Sequence, residues 1–299
     1  MLDYTQAAGL DFTEPERVPH DVGIAKLKEL FKSDRPFIVE EADHDVFQRV
    51  TAGFKLDRFR EVFGDRSWTV QRSKRGVFEP ETPFCDQTET LPVPEFLEKV
   101  ENPDEEYQHY LNVWPSPAFD FANDMFRELD ELGPELAMTR FGSQELRVFW
   151  IGGKGTITPL HYDTYARSHG VVEGEKLFIL FPPDLKHFRA LQPYSMWSPV
   201  GWHSKIAAGP IDPKHHPSLA GTNPVRALCK PGDFLYLPPC WWHHVSIPHR
   251  TTISISATFY PRRSYLYWYH WRMRISRRFA GQDRLLKKLN RTGKVAAAT

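Results

Sequence analysis

Apolar side chains recur at helical spacing in residues 21–32 (DVGIAKLKELFK) and 56–63 (LDRFREVF), while RPFIVE and SWTVQRS read as short strands. The first third of the chain is therefore mixed α and β. Pro-rich breaks around 80–94 and 115–117 punctuate it, and FDFANDMFRELDELG then predicts a helix ended by Gly133. From Glu145 the pattern changes to short β-branched and aromatic runs separated by Gly and Pro: ELRVFWIGG, GTITPLHYD, KLFILFPP, DFLYLP, WWHHVSI and TTISISATFY. So many short strands predict an all-β sandwich or barrel, and their number fits a jelly roll, the double-stranded β-helix. Residues 184–224 break the series without a clean period. Structureless loops longer than about 15 residues are usually lids or unfolded linkers. Tyr194, Met196, Trp197, Trp202, His203, His215 and His216 in this one favour a packed lid. After Pro261, SYLYWYHWRMRISRRFAGQDRLLKKLN carries Leu266, Tyr269 or His270, Met273 and Arg277 on one stripe, which predicts one or two terminal helices. The expected organisation is a mixed α/β region over 1–140 packing on the core, a β-helix core over 141–261 with the insertion 184–224, and a basic helical tail over 262–299.

Composition changes this picture little. With 299 residues, 41% hydrophobic and 25% charged, the chain suits one catalytic domain with appendages. No apolar run reaches the roughly 18 residues of a bilayer span, and MLDYTQAAGLDFTEPE lacks a basic segment followed by an apolar one, so a cytoplasmic protein is expected. The three cysteines, Cys85, Cys229 and Cys240, are widely spaced and form no CxxC pair, which speaks against a disulfide framework or a thiolate zinc site. Charge adds more. Residues 1–110 carry 14 Lys and Arg against 24 Asp and Glu, whereas 262–299 carry 11 against one. The ends attract each other, within a chain or between protomers of a homodimer, and the basic tail also suits an acidic partner such as nucleic acid or a membrane surface.

Side chains two apart on a strand face the same way, so His161 and Asp163 in TPLHYDTY point together. The later strand in PPCWWHHVSI brings a further histidine. Two histidines and one carboxylate leave coordination positions open, as in the facial triad of non-haem Fe(II) oxygenases, whereas a structural zinc site fills four positions, usually with thiolates. A histidine and an aspartate two apart are a weak signal alone, but here each half lies on a predicted strand. His243 and His244 alternate in direction, so only one serves, and the strand pattern does not choose. His249, His203, His215 and His216 compete from predicted loops, where side chains are held less firmly.

The blocks TPLHYD, KLFILFPPD, GDFLYLPPCWWHHV and ISISATFY, in this order and near this spacing, resemble the JmjC and cupin-like 2-oxoglutarate oxygenases, in particular the asparaginyl hydroxylase that inhibits hypoxia-inducible factor. The resemblance selects His243 over His244 and implies Fe(II), 2-oxoglutarate and O2, with succinate and carbon dioxide as coproducts. It implies that Lys176, with Thr158 and Tyr110, binds the distal carboxylate of 2-oxoglutarate. Thr158 faces away from His161 on a regular strand unless a bulge at Pro159 turns it back. The chain also departs from the pattern. Arg167 and Thr258 stand where the asparaginyl hydroxylase has amides, and Tyr260 replaces a tryptophan. By strand parity Arg167 shares the face of His161, Asp163 and Tyr165 and suits a carboxylate or phosphate, with a hairpin salt bridge to Glu173 or Glu175 as the alternative. Thr258 is assigned to 2-oxoglutarate, and Tyr165, Arg167, Trp197, Trp202, Trp241 and Tyr260 to the substrate pocket. The expectation is a hydroxylase of a protein side chain or a small molecule. The alternatives are methyl-lysine demethylation, a metal-holding cupin without turnover, and an oxygenase directed to nucleic acid by its basic tail. Terminal helices in the family often mediate dimerisation, for which Tyr265, Trp268 and Trp271 are candidates.

Overall fold

The computed structural model describes residues 10–40, 45, 47–48, 54–78, 88–103, 107–113, 146–163, 165–194, 202–206 and 211–259. The predicted helix in FDFANDMFRELDELG and the terminal helices after Pro261 lie outside the described residues. No helix among the described residues is long and apolar enough to cross a membrane.

The chain begins with β1 (Glu16–Pro19), α1 (Ile24–Ser33), β2 (Phe37–Glu40), α2 (Leu56–Phe63), β3 (Ser67–Ser73), β4 (Thr88–Pro92), α3 (Val93–Glu101) and β5 (Gln108–Val113). It continues through β6 (Leu146–Gly152), β7 (Ile157–Tyr162), β8 (Ala166–Glu173), β9 (Lys176–Phe181), α4 (Leu185–Ala190), β10 (Val225–Cys229), β11 (Asp233–Leu237), β12 (Trp242–Ser246) and β13 (Thr252–Phe259). The strands form a nine-stranded sheet, β1-β2-β11-β8-β13-β6-β5-β3-β4, and a four-stranded sheet, β10-β9-β12-β7. From β6 onward the chain deals its strands between the two sheets, β6, β8, β11 and β13 to one and β7, β9, β10 and β12 to the other. That division is the double-stranded β-helix. The amino-terminal region does more than pack on it: β2 pairs antiparallel with β11, and β5 with β6, so its strands extend the larger sheet at both edges.

Strand alternation sorts the apolar residues into three layers. On β13, Ile253, Ile255 and Ala257 join a core with α1, α2 and α3 on the outer face of the larger sheet. On the smaller sheet, Leu160, Tyr162, Leu177, Ile179, Phe181 and Trp242 face outward under Leu191, Ile206, Ile211 and Leu219 of the insertion. Between the sheets, Val171, Phe178, Leu180, Leu235, Leu237 and Trp241 fill one part of the interior. Because β9 and β11 are covered on both faces, every residue of KLFILF and DFLYL is buried, and this explains their unbroken apolar runs.

The insertion is packed where it is described. His203 bridges antiparallel to His161, with the Ser204 amide donating to Leu160 O at 2.9 Å and the Tyr162 amide to Trp202 O at 3.1 Å. Residues 202–204 thus add a short rung to the edge of β7 away from β12.

Candidate active site

His161, Asp163 and His243 converge between the sheets, with one ligand atom from each lying within 4.8 Å of the others. Antiparallel pairing of β12 with β7 sets His243 opposite His161, and their ring centroids are 4.1 Å apart. Each imidazole is oriented by its own strand. His161 Nδ1 lies 2.7 Å from Pro159 O and His243 Nδ1 3.1 Å from Trp241 O, and a carbonyl only accepts. The Nδ1–H therefore donates in both, leaving each Nε2 lone pair for a metal. Burial, and for His243 also the neighbouring His161, lowers both imidazoles, His243 to about 3, so both are neutral ligands. Burial pushes the Asp163 carboxyl up, but Arg167, His161 and His243 outweigh it and hold the group at about 2. Two neutral imidazoles and one carboxylate on a single side of a shared space suit a divalent metal with an open face.

Cys240, in the left-handed region at φ 64°, turns the chain into β12, and its amide donates to Asp163 O at 2.6 Å. This tight turn joins the two halves of the triad through the backbone. His244 points the other way from His243, and neither of its buried ring nitrogens makes a hydrogen bond among the described residues. The strand geometry thus separates the two histidines that the sequence pattern left as alternatives.

One strand over, Lys176 is only 1% exposed, and no carboxylate among the described residues pairs with it. Its Nζ lies 3.4 Å from Tyr110 OH and faces the rings of Tyr110 and Trp150 at 5.8 and 5.3 Å. Burial first, and Arg167 second, lower its ammonium to about 7. Tyr110 OH is hydrogen-bonded to Thr158, and burial pushes the phenol up. Thr158 reaches this side because β7 slips register against β12 between His243 and Val245, three residues passing two. Gly152 allows the arrangement, since a Cβ there would fall 2.7 Å from Tyr110 Cδ2. A buried ammonium beside the Tyr110 hydroxyl, itself bonded to Thr158, and without an anion among the described residues fits a carboxylate guest.

His169 is a residue that sequence reasoning missed. It shares the inward face of β8 with Arg167, is 5% exposed, stands with Trp150 and Phe178 at 6.3 and 5.0 Å, and leaves Nε2 without a hydrogen bond. Burial, then Lys176, Arg167 and His243, hold it far below the usual imidazole range. Its parity with Arg167 was the available signal. Ser256 and Trp150 were also missed: Trp150 Nε1 donates to Ser256 Oγ at 3.1 Å, and the same Oγ accepts from Arg167 NH1. Thr258 is buried two residues further along β13, on the same inward side.

Arg167 carries neither hairpin salt bridge. Its NH2 donates to Asp163 Oδ2 at 3.0 Å and to Tyr165 OH at 2.8 Å, and NH1 to Ser256 Oγ at 3.3 Å. Trp202 belongs to the cluster outside the smaller sheet, so it backs the site through His203, whose ring stacks on His161 at 5.2 Å. Trp241 is buried between the sheets and donates from Nε1 to Asp34 O at 3.0 Å, beside a separate cavity of about 690 Å³. Trp197 and Tyr260 lie outside the described residues.

Residues 25–270 match the model of a cupin-like domain. The chain is 29% identical over 149 residues to lysine-specific demethylase JMJ30 of Arabidopsis thaliana, covering 48% of this chain and 33% of that protein. It is 31% identical over 117 residues to the human bifunctional peptidase and (3S)-lysyl hydroxylase JMJD7, covering 32% of this chain and 36% of that one. It is 29% identical over 206 residues to tRNA wybutosine-synthesizing protein 4 of Neurospora crassa, covering 61% and 16%. The chain thus spans a minor part of the length of these curated relatives.

Proposed function

The chain belongs to the cupin-like domain family, and from that premise we propose that it is an Fe(II) and 2-oxoglutarate dependent oxygenase that hydroxylates a C–H bond of a protein side chain or a small molecule. One observation carries the reading: the triad of His161, Asp163 and His243 stands between the same two sheets as a buried ammonium, Lys176, that has no anion among the described residues. The metal group and the carboxylate-seeking group are the two halves of a single cosubstrate site. The names of the relatives, a demethylase and a lysyl hydroxylase among them, support oxidative chemistry of this class.

Bound iron with 2-oxoglutarate supplies hydroxylation by O2 coupled to decarboxylation of the oxo acid to succinate. The residues supply position. His161 and His243 offer Nε2 because their Nδ1 protons are tied to backbone carbonyls, and Asp163 offers a charged oxygen because Arg167 keeps it ionised. Lys176 Nζ, Tyr110 OH and Thr158 Oγ1 would hold the distal carboxylate and fix the angle at which the oxo acid meets the metal. The rings of Trp150, Tyr110 and Phe78 exclude water from that end. The basic tail, residues 262–299, is read as a dimerisation element, a reading that rests on its charge opposite to the acidic first third.

The test is succinate formation from 2-oxoglutarate by protein loaded anaerobically with Fe(II) and then given oxygen. Turnover in the wild type, lost in His161→Ala and in Lys176→Ala, is expected. A wild type that binds the metal and makes no succinate across a panel of peptide and small-molecule substrates refutes the reading.

A further inference from the structure

The interior between the sheets is out of electrostatic balance. Among the described residues the basic side chains of Arg167 and Lys176 stand there against the single carboxylate of Asp163. On the oxygenase reading, a divalent metal and a dianionic oxo acid cancel each other. The loaded site then keeps one positive charge. A buried surplus charge is costly unless something neutralises it.

Arg167 is also only partly engaged. Its Nε is buried without a hydrogen bond among the described residues, and its strongest partner, Asp163 Oδ2 at 3.0 Å, belongs to a metal-binding carboxylate. A metal on Asp163 takes up the charge that holds the guanidinium and repels the guanidinium at short range. What remains is a planar donor set braced by the rings of Trp150 and Tyr165 at 5.8 and 5.3 Å. Such a fork matches the paired oxygens of a carboxylate or phosphate. Its place differs from that of Lys176: the Arg167 side chain is 13% exposed, Lys176 1%. The more open cation faces arrivals, and the closed one suits the cosubstrate.

We propose that Arg167 is a specificity-determining residue that receives a carboxylate or phosphate of the prime substrate beside the metal, so that the molecule oxidised is an anion. This rests on the oxygenase reading and narrows it. A lysine or methyl-lysine side chain would bring its ammonium against the guanidinium and meet like charge.

The test uses the full chain loaded with Co(II) and saturated with 2-oxoglutarate. It is titrated with phenylacetate, with phenyl phosphate and with neutral phenylacetamide, read by calorimetry and by the visible bands of Co(II). The wild type is expected to bind at least one anion about tenfold more tightly than the amide, a difference the size of a charge-assisted hydrogen bond. Arg167→Gln should lose that preference and Arg167→Lys keep part of it. Equal binding of anion and amide by the wild type, or none, overturns the proposal, as does a preference that survives Arg167→Gln. A tenfold loss of 2-oxoglutarate affinity in Arg167→Gln overturns it too, because the guanidinium then serves the oxo acid. Should Arg167→Gln not fold, Arg167→Lys decides, and an anion preference equal to the wild type's counts against the assignment. If the wild type does not bind 2-oxoglutarate, the oxygenase reading fails instead, and the same titrations on the Co(II) protein alone still decide the part Arg167 plays.

Discussion

Lys176 Nζ rests on two aromatic rings beside one hydroxyl and is almost wholly buried. The ammonium is lowered to about 7, while in the unfolded chain it keeps its ordinary 10.5. Between those values the unfolded chain holds a proton that the folded chain has released, so the contribution of Lys176 to the stability of the metal-free protein rises with pH from about 7, until above 9 the buried Cys229 and Cys240, whose thiols burial pushes up, begin to oppose it. Thermal unfolding at pH 7 and pH 9 should show that rise, and Lys176→Met should flatten it while raising stability at pH 7. The same variant should abolish binding of 2-oxoglutarate to the Co(II) protein. A variant that unfolds less readily yet binds nothing would separate the two roles of the lysine. The resemblance singled out Lys176 from the sequence. His169 stayed hidden because an imidazole on a strand is ordinarily a core or surface residue, and only the fold brings both Lys176 and Arg167 near it.

Elements decide which way these residues face. The strand series from Glu145 was legible because alternation and turn residues recur at short intervals, and β6 to β13 follow it. The slip of β7 against β12 was signalled only by Pro159, since register depends on a partner strand far along the chain. Close contact between β8 and β11 was not signalled at all. A Cβ on Gly170 would fall 2.3 Å from Phe234 Cε1, in the layer that supports Arg167 and His169 from behind. Gly170→Ala should therefore destabilise the protein by about 1–3 kcal/mol, the usual cost of overpacking, and Phe234→Leu in the same chain should recover part of it in denaturant titrations. The rung formed by residues 202–204 gives another expectation. His203→Ala removes the ring stacked on His161 and should weaken Co(II) affinity several-fold without changing the far-ultraviolet dichroism.

For the whole molecule, metal and fold are coupled. The triad joins β7, β12 and the loop between β7 and β8, so a metal that binds only the folded chain stabilises all of them. At a hundredfold excess over the dissociation constant, Co(II) should add about 2.7 kcal/mol of unfolding free energy, and His161→Ala should abolish most of that gain. The boundary expected near residue 140 is less a boundary than the sequence implied, because β2 and β5 continue the larger sheet past it. Pairing across long separations leaves no local mark on a sequence.

Those long separations also set the order in which the protein can form. Phe37 on β2 pairs with Tyr236 on β11, so a strand made early on the ribosome waits for nearly the whole β-helix before it has a neighbour on that side. Folding dominated by such non-local pairs is slow, and the waiting strands expose apolar edges to other chains. The protein should therefore refold in seconds or longer and lose yield as its concentration rises, and expression at low temperature or with added chaperones should recover more of it than any change to the active site.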